Sequence, residues 1–366
     1  MQLLPALQSG GVEQSTLEIS AALVREGHES WTVSAGGRLV PRLEQEGGRH
    51  LQHDIGRKSL LTLGHVATLR QLYLSVRPDI VHARSRLPAW LGWLALRTLP
   101  RKHRPHFVTT VHGLNSPGRY SAIMTGGERV ICVSETVRTH LHRHYPRLDE
   151  RRIAVVPRGI DPERFAFGWQ PEASWREALL RDCPQLRGGR LLTLPARGTR
   201  LKGHAHAIRL LAAVRAQDID ARLLLLGVDE QGREHYLGEL RELARSLGVN
   251  DFLATTPPRP DAREAMAISD VVLQLSIKPE AFGRTVIEAL SLGTPVLGFD
   301  HGGVGELLAR HFVAGAAPQD DPHALAERAV ALLGQPPVMQ PVDVPTLSAM
   351  QADTLRIYRE LCEAAP

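Results

Sequence analysis

The chain has 366 residues, 43% of them hydrophobic and 23% charged, which allows two domains of ordinary size and excludes a disordered or membrane-spanning chain. Lys and Arg outnumber Asp and Glu by 44 to 39, and the pI is about 9.4. An excess this mild does not mark a DNA-binding protein, although a basic surface attracts the phosphates of anionic lipid or glycan.

Met1 leads straight into the strand-like Gln2-Leu-Leu-Pro-Ala-Leu7, so no signal peptide is read, and so abrupt a start points to a few residues missing upstream. Short apolar runs then alternate with longer helical patterns, the signature of β-α units and parallel sheets in an α/β fold. Strands are expected at residues 3–7, 30–34, 79–83, 107–111, 129–133 and 153–156 in the first half. In the second half they are expected at 191–194, 222–226, 270–275 and 295–299. Amphipathic helices are expected at 12–26 and 234–247. Leu87 to Leu96 is an apolar helix carrying Trp90 and Trp93, about half as long as a membrane span, and the basic stretch Arg97 to Arg104 follows it. It reads as a core helix, with an interfacial patch on a membrane as the alternative. Residues 161–189 are polar, carry three prolines and lack a clear strand, which makes them the natural linker between two doubly wound domains. The tail reads as a helix around Met350 to Leu361. Cys132, Cys183 and Cys362 are scattered without a C-x-x-C pair, as reduced thiols in a cytoplasm would be.

Four stretches carry chemistry. Gly10 and Gly11 follow the first strand, where glycines let backbone approach a ligand at a helix N-terminus. Thr109-Thr-Val-His112-Gly113 ends a strand in a histidine placed to hydrogen-bond a ligand. Pro195-Ala-Arg197-Gly-Thr-Arg-Leu-Lys202-Gly203 follows the first strand of the second half, and Arg197 and Lys202 can both reach one pyrophosphate. Lys278-Pro-Glu-Ala-Phe-Gly-Arg-Thr-Val-Ile-Glu288 puts two carboxylates eight residues apart, Glu280 before a helix N-terminus and Glu288 about one turn inside it. Free amides at Gly283, Arg284 and Thr285 favour a phosphate between them. Glu280 can then take sugar hydroxyls on one side and Glu288 a ribose on the other.

Two patterns read as decoys. Asp218-Ile-Asp220 is a D-x-D that sits before a strand and so away from strand C-termini. His140-x-His142-x-His144 has no carboxylate partner nearby in sequence, and no metal site is expected from either.

The string from Pro279 to Glu306, with its E-x7-E spacing and Gly302-Gly303-Val-Gly-Glu306 ending, resembles retaining glycosyltransferases of family 4, which have the GT-B fold. Among them it is most similar to those building bacterial lipopolysaccharide core. The resemblance implies two Rossmann-like domains facing across a cleft, residues 1–165 and 166–345, with a C-terminal helix at 346–366 crossing back to complete the first. It also implies a UDP-sugar donor, a lipid-linked glycan acceptor, retention of configuration, no cofactor or metal, no nucleic-acid partner, and a cytoplasmic, peripheral place on the anionic inner membrane. The residues it marks are Glu280, His112, Arg197 and Lys202 for catalysis. Gly10, Gly11, Ala281, Phe282, Gly283, Arg284, Thr285 and Glu288, with Arg197 and Lys202, would hold the donor. Val156-Pro-Arg158-Gly-Ile-Asp161 is similar to a segment bordering the cleft, with arginine where the family often has asparagine. Ser134-Glu135 is another rim segment, and Ala254-Thr-Thr-Pro-Pro258 departs from the usual base loop. A capsule or exopolysaccharide acceptor, a UDP-sugar epimerase and an inert binder of phosphorylated polymers remain the rival readings.

Overall fold

The computed structural model describes residues 1–8 and 10–364, the side chain of Leu60 aside. They form two compact units. One comprises Met1–Gly159 with the residues from Thr346 onward, the other Ile160–Pro345.

The sheet of the first unit contains β1 (Gln2–Leu3), β2 (Trp31–Ser34), β3 (Arg49–Gln52), β4 (Ile80–Ala83), β5 (His106–Val111), β6 (Arg129–Cys132) and β7 (Ile153–Val155). Their order is 3-2-1-4-5-6-7, all parallel. β1 is shorter than its apolar run because Pro5 has no N–H to continue the ladder, although Leu7 still donates to the Gly36 carbonyl at 2.9 Å. β3 is an edge strand, Arg-His-Leu-Gln, with both ends exposed, so no apolar run announces it. The C-terminal helix Leu347–Glu363 buries Met350, Leu355, Ile357 and Tyr358 against Ile19, Val108 and Ile131. Polar ties fix its register: Gln351 Nε2 donates to the Glu18 carbonyl at 2.7 Å, and Arg25 Nη2 to Gln351 Oε1 at 2.6 Å. Beneath the carboxyl ends of the strands lies a buried polar network. His82 Nδ1 meets the Tyr358 hydroxyl at 2.5 Å and His82 Nε2 the Thr110 hydroxyl at 2.6 Å, while Arg84 Nε donates to Gln2 Oε1 at 2.7 Å.

The second unit repeats the plan with β8 (Arg190–Pro195), β9 (Ala221–Leu226), β10 (Leu253–Thr256), β11 (Val271–Gln274), β12 (Val296–Phe299) and β13 (Ala316–Ala317). These run parallel in the order 10-9-8-11-12-13. The near-continuous apolar runs of β8, β9 and β11 suit strands covered on both faces, and their leucines pack with Ile208, Leu211 and Phe299. Residues 161–189 are part of this unit and not a bare linker. Phe165 is buried, Gly168 N–H donates to the Leu292 carbonyl at 3.1 Å, and the helix Ala173–Asp182 packs Leu179 with Cys183 and Leu186 against Leu224 and Leu226. The boundary therefore falls at Gly159 and Ile160, a few residues before the expected 165/166.

Each sheet reverses its strand order beside its first strand, between β1 and β4 and between β8 and β11. In doubly wound sheets, ligands bind beyond the carboxyl ends of the strands at such switch points.

Candidate active site

At the second switch point the loops after β8 and β11 run side by side, tied by Ile277 N–H to the Leu201 carbonyl at 2.9 Å. One delivers Lys202 and the other Glu280, and the ammonium meets Glu280 Oε1 at 2.5 Å with both side chains half-buried. Ser276 Oγ donates to the same oxygen and lies 3.1 Å from the Gln274 amide oxygen. Gly203 makes the approach possible. It is left-handed, with φ of 77°, and a Cβ there would stand 1.8 Å from the Leu275 carbonyl oxygen.

Glu280 precedes the helix Arg284–Leu292, whose N-cap Gly283 supplies no side-chain cap. The helix dipole favours an anion beside this first turn, at Gly283 to Thr285. Glu288, one turn in, accepts from Arg284 Nε at 3.1 Å and is half-buried. Phe282 is buried and Ala281 is half-buried. Gly303 donates its N–H to the Glu280 carbonyl at 2.7 Å, and a Cβ on it would come within 2.4 Å of the Phe282 backbone. The Gly302-Gly303 pair therefore cradles the loop that carries Glu280. Arg197 lies on the β8 loop, exposed and without an ion pair among the described residues.

In the first unit, Gly10 and Gly11 open the helix Gly11–Arg25, the first helix after β1, both exposed and again without a side-chain cap. His112 follows β5. Its Nδ1 accepts from Arg158 Nη2, and its Nε2 is buried without a partner among the described residues. Burial, then Arg158, Arg84 and His82, hold this imidazole well below its ordinary pKa, so the ring is neutral.

Sequence reasoning did not find Ser276 or Gln274, because a lone serine or glutamine at a strand end has no spacing signal. Ser134 proves to be a helix cap, accepting from Val137 N–H at 3.1 Å. Thr256, in the 254–258 segment, ends β10 and accepts from the Gly227 and Asp229 amides at 3.1 Å. Asp220 is exposed and held by Arg215 at 2.9 Å and by Arg222. His142 does have a carboxylate partner, Glu150, contrary to the sequence reading, yet no group of three or more metal-ligating side chains forms among the described residues. Trp90 and Trp93 are half-buried on the helix Arg86–Arg97, with Trp90 Nε1 donating to the Tyr120 carbonyl at 2.9 Å. No helix of the described residues is long and apolar enough to cross a membrane.

A seven-stranded 3-2-1-4-5-6-7 sheet and a six-stranded sheet on the same plan, each with a switch point beside its first strand, define a doubly wound α/β protein of two units. The chain belongs to the GT-B glycosyltransferases: residues 9–164 match Glycosyltransferase Family 4 and residues 186–340 match Glycosyl transferases group 1. A D-inositol 3-phosphate glycosyltransferase of Jonesia denitrificans is 29% identical over 263 residues, 63% of this chain. The match spans only 58% of that relative's length. A glycosyltransferase structure from Rickettsia africae superimposes with a TM-score of 0.86 at 27% identity, covering 100% of this chain and 98% of that one. Anabaena HepE in complex with UDP and glucose gives 0.75 at 21% identity, covering 99% and 98%. WaaG, a glycosyltransferase involved in lipopolysaccharide biosynthesis, gives 0.68 at 18%, covering 100% and 95%.

Proposed function

We propose that this chain is a retaining, metal-independent hexosyltransferase. It moves a hexose, glucose first, from a UDP-sugar to a hydroxyl of lipopolysaccharide core at the cytoplasmic face of the inner membrane. The observation that carries this reading is the Lys202–Glu280 pair beside the uncapped N-terminus of the helix Arg284–Leu292.

A diphosphate at that terminus meets the Gly283, Arg284 and Thr285 amides, with Lys202 and Arg197 as cations. These donors stabilise the charge that grows on the leaving phosphate. Lys202, drawn to the phosphate, releases Glu280 to accept from sugar hydroxyls, and Glu288 takes the ribose. In the first unit, Gly10 and Gly11 leave backbone open to a ligand, and His112 can offer its Nε2–H to a sugar oxygen. In a retaining reaction without a covalent intermediate, the departing phosphate oxygen takes the acceptor's proton on the same face. The bond from anomeric carbon to phosphate breaks as the bond to the acceptor oxygen forms. The protein's part is then to position the reactants and stabilise charge.

HepE, described with UDP and glucose, and WaaG, described in lipopolysaccharide biosynthesis, support the donor and acceptor classes. The name of the Jonesia relative favours a second acceptor, a phosphorylated polyol. Incubating the purified protein with UDP-glucose and either truncated core glycan or inositol phosphate separates the two. Product on the core glycan alone supports the first reading, and product on inositol phosphate alone replaces it. No transfer from any UDP-sugar would remove the donor assignment.

A further inference from the structure

His112 faces a group with no lone pair to offer. Arg158 Nη2 points at its Nδ1, and a guanidinium carries five N–H donors, no acceptor, and a charge it does not lose. Nδ1 must therefore be bare, and the single proton of the neutral ring sits on Nε2, the atom left buried without a partner among the described residues. Protonating Nδ1 would set N–H against N–H and one positive charge against another. No relief comes from the neighbours that act on the ring. Arg84, after β4, is 3% exposed, His82 lies within β4, and Arg158, after β7, is 7% exposed.

We propose that Arg158 is a positioning residue that locks His112 as an Nε2–H donor. The ring can then give a hydrogen bond to a sugar oxygen but cannot take the acceptor's proton. The arginine matters because of its polarity. An asparagine in its place would present both an NH2 and a carbonyl and could pair with either tautomer. Arginine permits one. The catalytic meaning of the lock rests on the transferase reading above. The tautomer itself is a property of the enzyme alone and is measured without substrate.

The experiment uses full-length protein labelled with 15N-histidine, the His112 signals being assigned by their loss in His112→Asn. From about pH 8 down to about pH 5.5, wild-type His112 should keep a proton-bearing Nε2 and a bare Nδ1 where an ordinary histidine titrates. Arg158→Met should let the ring populate both tautomers and titrate closer to neutrality, while Arg158→Lys, which still donates, should keep the wild-type pattern. In transfer assays Arg158→Met should lower kcat about ten-fold, the size of one good hydrogen bond to a reacting group, and add an acid limb to the pH profile. The lysine variant should restore both. An Nδ1–H or imidazolium signal in the wild type near neutral pH overturns the proposal. So does an Arg158→Met spectrum identical to wild type. If the ring signals behave as described but no nucleotide sugar is turned over, the lock stands and the transferase reading falls.

Discussion

At the scale of single residues, the Lys202–Glu280 pair sets the terms of any test. Glu280→Gln removes the carboxylate but keeps its shape. Turnover should fall roughly ten- to a hundred-fold, the worth of a charged hydrogen bond to a reacting sugar. UDP affinity should hold or tighten, because nothing then competes for Lys202. Near-wild-type turnover in the purified variant removes Glu280 from the chemistry. Lys202→Ala and Arg197→Ala should each weaken UDP binding, and together by less than the sum, since both meet one diphosphate. Calorimetric titration finding UDP affinity unchanged in both places these cations outside the site. Neither change should cost more than about 1 kcal/mol of stability, because the pair is half-exposed and Arg197 has no ion-pair partner among the described residues. Glu280, Glu288, Lys202 and Arg197 each stand in a local motif that the sequence displays. What no local motif contains is the contact between Lys202 and Glu280, 78 residues apart. That contact depends on β8 and β11 pairing in one register.

At the scale of elements, legibility followed the apolar run. β9, Ala-Arg-Leu-Leu-Leu-Leu, announces itself, as does the edge strand β7, Ile-Ala-Val, whereas β3, Arg-His-Leu-Gln, β10, Leu-Ala-Thr-Thr, and the two-residue β13 hold too few successive large apolar residues. The helix Arg284–Leu292 is bracketed by Gly283 and Gly293, both left-handed, and glycines at such ends are visible in the sequence. Gly203→Ala tests how tightly two elements are joined. With a Cβ forced into the Leu275 carbonyl at a positive φ, the β8 loop must shift, and the variant should lose several kcal/mol of stability together with most of its UDP binding. A melt and a titration on one sample check both, and a fully stable Gly203→Ala with normal affinity contradicts the geometry. On the helix Arg86–Arg97, Arg97 lies over Trp93 at 5.0 Å. Any docking on anionic liposomes through this helix and the basic stretch behind it should fade with added salt, because charges are screened beyond about 8–10 Å at physiological ionic strength. Absence of co-sedimentation even at low salt assigns the tryptophans to packing alone.

At the scale of the whole molecule, buried histidines make stability depend on pH. Burial holds His82 and His112 well below the ordinary value of 6.5 and lowers His204 to about 4. In the unfolded chain each titrates near 6.5, so below that pH the unfolded state binds more protons. Stability is then complete above about 6.5 and is lost as pH falls towards the folded values. His204 alone accounts for roughly 3 kcal/mol between about pH 6.5 and pH 4. Thermal melts near pH 7.5 and pH 5 should show a clear drop at the lower pH, and equal midpoints refute this assignment. Metal dependence is a second property of the whole enzyme. Activity should survive excess chelator, and Asp218→Asn with Asp220→Asn should leave turnover within about two-fold, as surface changes do. Restoration of a chelator-silenced enzyme by Mg²⁺ or Mn²⁺ would instead require a metal on the diphosphate.

The return of the chain to its first unit has a consequence for how the protein is made. The strands β1 to β7 emerge from the ribosome early, yet the helix that seals Ile19, Val108 and Ile131 is made only after the entire second unit. Nascent domains usually fold in the order of their synthesis. Here the unit encoded later holds all its parts sooner, so the first must wait with an apolar sheet face uncovered while the second closes. Holdase chaperones should therefore engage the nascent chain over that interval, and release it once residues 346–364 clear the exit tunnel.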